Sequence, residues 1–196
     1  GAHASSSMLD ASRSCAIWPS WSRASAVSVG SSFPSRRRAS SSISRGDRPA
    51  AHYGSIASHG EALAAAVLAS PQHRLIYRPH PRSGVVDAAY CDAHRRIVAA
   101  IAAANSADPL AHHVYDDGPE LGWQLAAADL AVVDISAMIY DRLAVAKPLL
   151  VTRPADPAAL VDTGGYLADA AWLDAASAAS IVEMADRIAD DPDASG

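Results

Sequence analysis

Residues 130–133, Leu-Ala-Val-Val, are an uninterrupted apolar run that ends near Asp134, with Ser136 two residues further on. A strand that is apolar on successive residues must be covered on both faces, which is the situation of a strand inside a parallel sheet. A Ser so placed is a favoured helix cap, so the run predicts a strand-to-helix turn. The same unit recurs along the chain. Helices are expected over 58–69, 88–104, 120–127, 136–146 and 177–189, and short strands over 74–78, 113–115, 130–133, 148–151 and 171–173. Pro71, Pro79, Pro81 and Pro119 fall at the predicted boundaries, where proline is tolerated or stops an element. Alternation of this kind predicts an α/β fold, a Rossmann-like parallel sheet with helices on both faces. Ligands of such sheets bind beyond the carboxyl ends of the strands, so the residues after each strand are the ones to inspect.

The alternation begins only after residue 45. Residues 1–45 hold 16 serines, six arginines and a single acid, Asp10, whereas residues 46–196 hold nine serines, ten Lys/Arg and twenty Asp/Glu. The first segment shows no helical or strand period and carries too little apolar surface to order itself, so it is expected to be disordered. A transit peptide, a basic tail that meets anionic lipid, and a fragment end or mistranslated stretch all fit its composition. The abrupt change at Arg45 favours the third. The α/β lobe is therefore expected over residues 46–196.

The formal net charge of −5 argues against a nucleic-acid partner. Cys15 and Cys91 form no CxxC or zinc pattern, which fits a reducing, cytoplasmic compartment. No apolar run reaches the ~18 residues that suggest a membrane-spanning helix, so any membrane contact is expected to be peripheral. His94, His112, His113 and Cys91 lack an acidic partner at ligand spacing, and no metal or other cofactor is expected. Trp123 and Trp172 are expected to pack the core, and Asp116 and Asp117 to form a solvated turn. Lys147 is expected to close a helix rather than touch a ligand.

Two strand ends carry chemistry. After the 74–78 strand come Arg78-Pro-His80-Pro-Arg82, two cations and an imidazole in a loop stiffened by proline. Arg grips phosphate oxygens as a fork, and His exchanges a proton near neutral pH. A solvated basic loop would look the same when taken alone. After the 130–133 strand come Asp134-Ile-Ser136-Ala137 and a helix bearing Asp141. A helix start offers amide donors and partial positive charge to a phosphate. Asp134 could hold a hydroxyl or a cation, but as a carboxylate it would repel a phosphate. An ordinary N-cap is the plain alternative.

Together these blocks resemble the CDP-glycerol glycerophosphotransferase family. That family's signature is an apolar strand, Asp-Tyr-Ser-Ser, a helix bearing Asp, then Gly-Lys-Pro and another strand, with an Arg-x-His-Pro block upstream. Residues 128–141, Ala146-Lys147-Pro148 and Arg78-Pro79-His80-Pro81 are similar to it, and the similarity covers about residues 46–175. The resemblance implies the carboxy-terminal, nucleotide-binding lobe of a GT-B fold, transferring glycerol phosphate from CDP-glycerol to a lipid-linked or polymeric polyol-phosphate acceptor at the inner face of the cell membrane. It implies His80 as the catalytic residue, with Arg78, Arg82, Asp134, Ser136, Ala137 and Asp141 around the substrate. Ala137 stands where the family has a second serine, and Ala146 where glycine is usual. The family's amino-terminal lobe, with its His-Gly-Thr motif, has no counterpart in the sequence, so a donor-binding lobe that is inactive alone is expected. A GT-B enzyme using a nucleotide sugar and a non-catalytic lobe remain the alternatives.

Overall fold

The computed structural model of the chain describes residues 53–79, 87–120 and 122–190. Residues 1–45 and the loop positions His80 and Arg82 lie outside these. The described elements alternate in the order expected. The strands are β1 (Ile76–Tyr77), β2 (Val114–Tyr115), β3 (Ala131–Val133), β4 (Leu149–Thr152) and β5 (Trp172–Leu173). The helices are α1 (Glu61–Ala69), α2 (Ala88–Ala107), α3 (Trp123–Ala127), α4 (Met138–Ala144) and α5 (Ile181–Asp190). A wide π-type turn, Ile56–Gly60, leads into α1.

All strand pairs are parallel. β1 pairs with β2, Ile76 opposite Val114. β4 lies between β3 and β5, with Val133 opposite Val151 and Thr152 opposite Leu173. Side chains of successive strand residues point to opposite faces, and the two faces have separate cores. Leu75, Tyr77, Leu130, Val132, Leu150 and Leu173 pack against α1, α2 and α5. Ala131, Val133 and Val151 pack against Leu125 of α3 and Met138 and Ile139 of α4. The result is a layered α/β unit with helices on both sides of small parallel sheets. Leu75 and Tyr77 share a core with Leu130 and Val132, so both sheets border the same core on that face.

Local chemistry sets the helix ends. Asp87 caps α2 by accepting hydrogen bonds from the Ala89 and Tyr90 amides, at 3.0 and 3.3 Å. Tyr90, Ala93, Ile97 and Ile101 then line one buried stripe at helical spacing. Gly60 lets the π-type turn approach that stripe: a Cβ there would stand 3.0 Å from Ile97 Cδ1. The predicted 136–146 helix is shorter than expected at both ends. It starts at Met138, because Ser136 caps it from outside. It stops at Ala144, because Ala146 adopts a left-handed φ of +50°. The predicted 177–189 helix opens with 3-10 turns over Ala175–Ser180 before α5.

Candidate functional site

Arg78 directly follows β1. Its Nη1 donates to Asp116 Oδ2 at 2.5 Å and its Nη2 donates to the Gly118 carbonyl at 2.8 Å. Both members of the ion pair are largely buried, with side chains 12 % exposed. Asp116, placed after β2, also accepts from the Gly118 amide at 3.0 Å and from Gln124 Nε2. Burial pushes this carboxyl up, but the bonds from Gln124, Gly118 and Arg78 outweigh it and hold its pKa below the ordinary aspartate value. Gln124 is itself buried, accepting from the Gly122 amide and donating to the Glu120 carbonyl, each at 3.0 Å. Gly122 has φ +129°, a conformation that glycine alone adopts without strain. The expected solvated turn at Asp116 is thus a fixed loop that seats Arg78. Sequence reasoning missed both Asp116 as the partner of Arg78 and Gln124 as the partner of Asp116.

Asp134 follows β3 but does not lie open at the strand end. It is 2 % exposed, and Thr152 Oγ1 lies 2.7 Å from its Oδ1. Burial raises its pKa above the ordinary aspartate value, against the partial offset of Ser55, Thr152 and His59 around it. Strand alternation separates it from Arg78. Asp134 shares the face of Val132 and meets the π-type turn, whereas Arg78 meets the loop that leads into α3. The sequence placed both on one cleft; the structure gives them no common partner among the described residues.

His59 in that turn places Nε2 3.1 Å from the Leu173 carbonyl and Nδ1 2.8 Å from Ser58 Oγ. A carbonyl accepts only, so Nε2 carries the hydrogen. Burial lowers the pKa of this imidazole. Ser136 and Ala137 are half-buried and form the turn between β3 and α4, where Ser136 Oγ accepts from the Met138 amide at 3.3 Å. One amide of that helix start is therefore already partnered. Asp141 is exposed in the first turn of α4.

Other polar groups hold the fold. Arg142 is fully buried and donates to four backbone carbonyls: Leu125, Ala128 at 3.0 Å, Asp129 at 2.9 Å and Pro148 at 3.1 Å. Burial lowers its pKa to about 10. Its position was legible, since Met138, Ile139 and Arg142 fall on one helical face, a stripe that ends in a cation. Lys147 donates to the Ala126 carbonyl at 2.7 Å and so closes α3, a different helix from the one it follows. His94 Nδ1 and the buried Tyr77 hydroxyl share a hydrogen bond of 2.9 Å, and His113 Nδ1 accepts from the Leu75 amide at 3.1 Å. Trp172 packs the core as expected, with Arg153 over its ring at 4.7 Å. Trp123 differs from expectation: it is 45 % exposed at the start of α3, beside the Arg78 loop.

Among the described residues no helix is long and apolar enough to cross a membrane. No protein-family model, no curated protein and no solved structure matches the chain.

Proposed function

We propose that residues 46–196 are the donor-binding lobe of a CDP-glycerol glycerophosphotransferase of GT-B architecture. In that reading the lobe holds the diphosphate of CDP-glycerol. An acceptor hydroxyl of a lipid-linked or polymeric polyol phosphate attacks the phosphorus attached to glycerol, and CMP leaves. The observation that carries the reading is the placement of the two motif blocks. Arg78 directly follows β1, and the Ser136–Ala137 turn begins three residues beyond Val133 of β3, at the end where such folds take ligands. Arg78, seated by Asp116 and Gly118, brings a fixed cation. The turn brings a hydroxyl and backbone amides. His80 and Arg82 follow Arg78 in the sequence and belong to the same proposed site, with His80 as proton acceptor or phosphate ligand. Asp141 marks the outer edge. Asp134 acts from beneath rather than by contact.

The experiment is calorimetric titration of the chain with CDP-glycerol, CMP and a panel of nucleotide sugars. Saturable binding of CDP-glycerol in preference to the sugars is expected. Preference for a nucleotide sugar would support the other GT-B activity, and no saturable binding of any donor would remove the reading. Ser136→Ala should weaken CDP-glycerol by about 1 kcal/mol, the scale of one hydrogen bond. An unchanged affinity would move the diphosphate away from this turn. The same variant loses the Met138 cap, so its thermal midpoint is read alongside.

A further inference from the structure

Thr152 Oγ1 lies 2.7 Å from Asp134 Oδ1 and 3.3 Å from the Val133 carbonyl. A hydroxyl has one hydrogen. With Asp134 ionised, that hydrogen goes to the carboxylate, and the contact with the carbonyl brings two acceptor oxygens together. With a proton on Oδ1, Asp134 donates to Thr152 and Thr152 donates to Val133. Both contacts are then hydrogen bonds.

The groups packed around Asp134 agree with this assignment. The π-type turn brings Ser55 and His59, β1 brings Tyr77, and β4 brings Thr152. Asp174, after β5, faces His59 and is paired with Arg153 at 2.9 Å. Among the described residues none of these packed groups is a lysine or arginine directed at the carboxyl. His59 donates from Nε2 to the Leu173 carbonyl; its Nδ1 lies 2.8 Å from Ser58 Oγ, which is also 3.2 Å from the Ser55 carbonyl, and burial lowers its pKa, which favours the neutral imidazole. Ser55 is buried beside this group, and its hydroxyl and backbone amide favour the charged form in part, less than burial disfavours it. A carboxylate taken wholly out of water without a cation is costly, whereas a carboxylic acid with a donor and an acceptor in place is not.

We propose that Asp134 is held as a neutral carboxylic acid, a proton latch joining β3 and β4 beneath the π-type turn, which keeps the carboxyl end of β3 free of negative charge for an anionic ligand. The ligand half of this inference rests on the proposed donor site; the proton half does not. The latch removes the repulsion that an ionised Asp134 would exert on a diphosphate over the Ser136 turn. Ionisation at alkaline pH breaks the Asp134-to-Thr152 donation and places a like charge under the ligand.

The test follows the Asp134 carboxyl carbon by NMR in uniformly ¹³C-labelled full chain, assigned through backbone correlations, from about pH 5 to about pH 9. At about pH 6, ordinary aspartates, with pKa near 3.9, are ionised. Asp134 should still show the shift of the protonated acid there. An ionised Asp134 at that pH overturns the proposal. CDP affinity is measured over the same range. Where Asp134 titrates, CDP should weaken by roughly tenfold, the equivalent of one pKa unit of coupling. An affinity that stays constant through that titration overturns the ligand half. Absence of CDP binding at every pH instead defeats the donor-site reading, and the carbon shift still decides the proton.

Discussion

Ala146 sits at φ +50°, just after the last turn of α4, where its amide donates to the Leu143 carbonyl at 3.0 Å. A side chain in the left-handed region brings Cβ too close to the following carbonyl, at a cost of about 1 kcal/mol that glycine escapes. Glycine would meet this φ without that cost. Ala146→Gly is therefore expected to stabilise the protein by about 1 kcal/mol, read as an increase in the urea midpoint at constant m-value. A lower midpoint would show that the left-handed turn is not populated in solution. Asp116 illustrates the opposite kind of residue. Nothing in its immediate sequence distinguishes it from neighbouring Asp117, yet it partners Arg78 from 38 positions away. Its role depends on parallel pairing of β1 with β2, which brings the ends of both strands together.

At the scale of elements, α3 depends on residues outside itself. It has five residues, too few to form a stable helix alone. Its carboxyl-terminal carbonyls are taken by Arg142 and Lys147, and its amino-terminal approach is fixed by Gln124, Asp116 and Arg78. Arg142→Met keeps length and apolar bulk but removes a donor shared by four backbone carbonyls, of which Pro148 keeps the Ala131 amide and Ala128 keeps Lys147. It should cost about 3 kcal/mol and raise amide exchange across Trp123–Ala127 above that of α2. Arg142→Lys should not restore the loss, since a compact ammonium cannot span carbonyls from α3, from the turn before β3 and from the residue before β4. Equal exchange in wild type and Arg142→Met would refute this account of α3. The strands, helices and their order were legible because apolar runs, alanine-rich helical stretches and prolines are local signals. The site was legible only as strand ends. Which face each end residue took, and that Asp134 would turn inward onto Thr152, depended on strand alternation and on a turn 75 residues upstream, at His59. The expectation of a free helix start at Ser136 failed in part for a local reason: the hydroxyl bonds the amide two residues on, as short polar side chains do.

Across the whole molecule, buried imidazoles and carboxyls give stability a pH profile with opposing slopes. His59, His94 and His113 all have pKa values lowered by burial, with Arg74 adding to the effect at His113. Each takes up a proton less readily folded than unfolded, where the value is near 6.5. The folded state therefore loses nothing above that pH and loses stability as pH falls below it, through each depressed folded pKa. Asp116 adds to the acid loss, because its lowered pKa contributes stability above the unfolded value of about 3.9 that vanishes as pH falls through the folded one. Asp134 works the other way. Its raised pKa gives a contribution that is complete below about 3.9 and is lost as pH rises through the folded value. Urea midpoints of the full chain from about pH 8 down to about pH 4.5 should thus be highest near neutrality and drop on the acid side of about pH 6.5. His113→Asn separates the contributions. Asparagine does not protonate near neutral pH, and its side-chain carbonyl could still accept the Leu75 amide that His113 Nδ1 holds in the native protein. The variant should be less stable than wild type at pH 8 through lost packing, yet show a shallower decline between about pH 6.5 and pH 5. Parallel profiles for the two proteins would mean that His113 titrates alike in the folded and unfolded states, and that its ring is not the buried acceptor that joins the starts of β1 and β2.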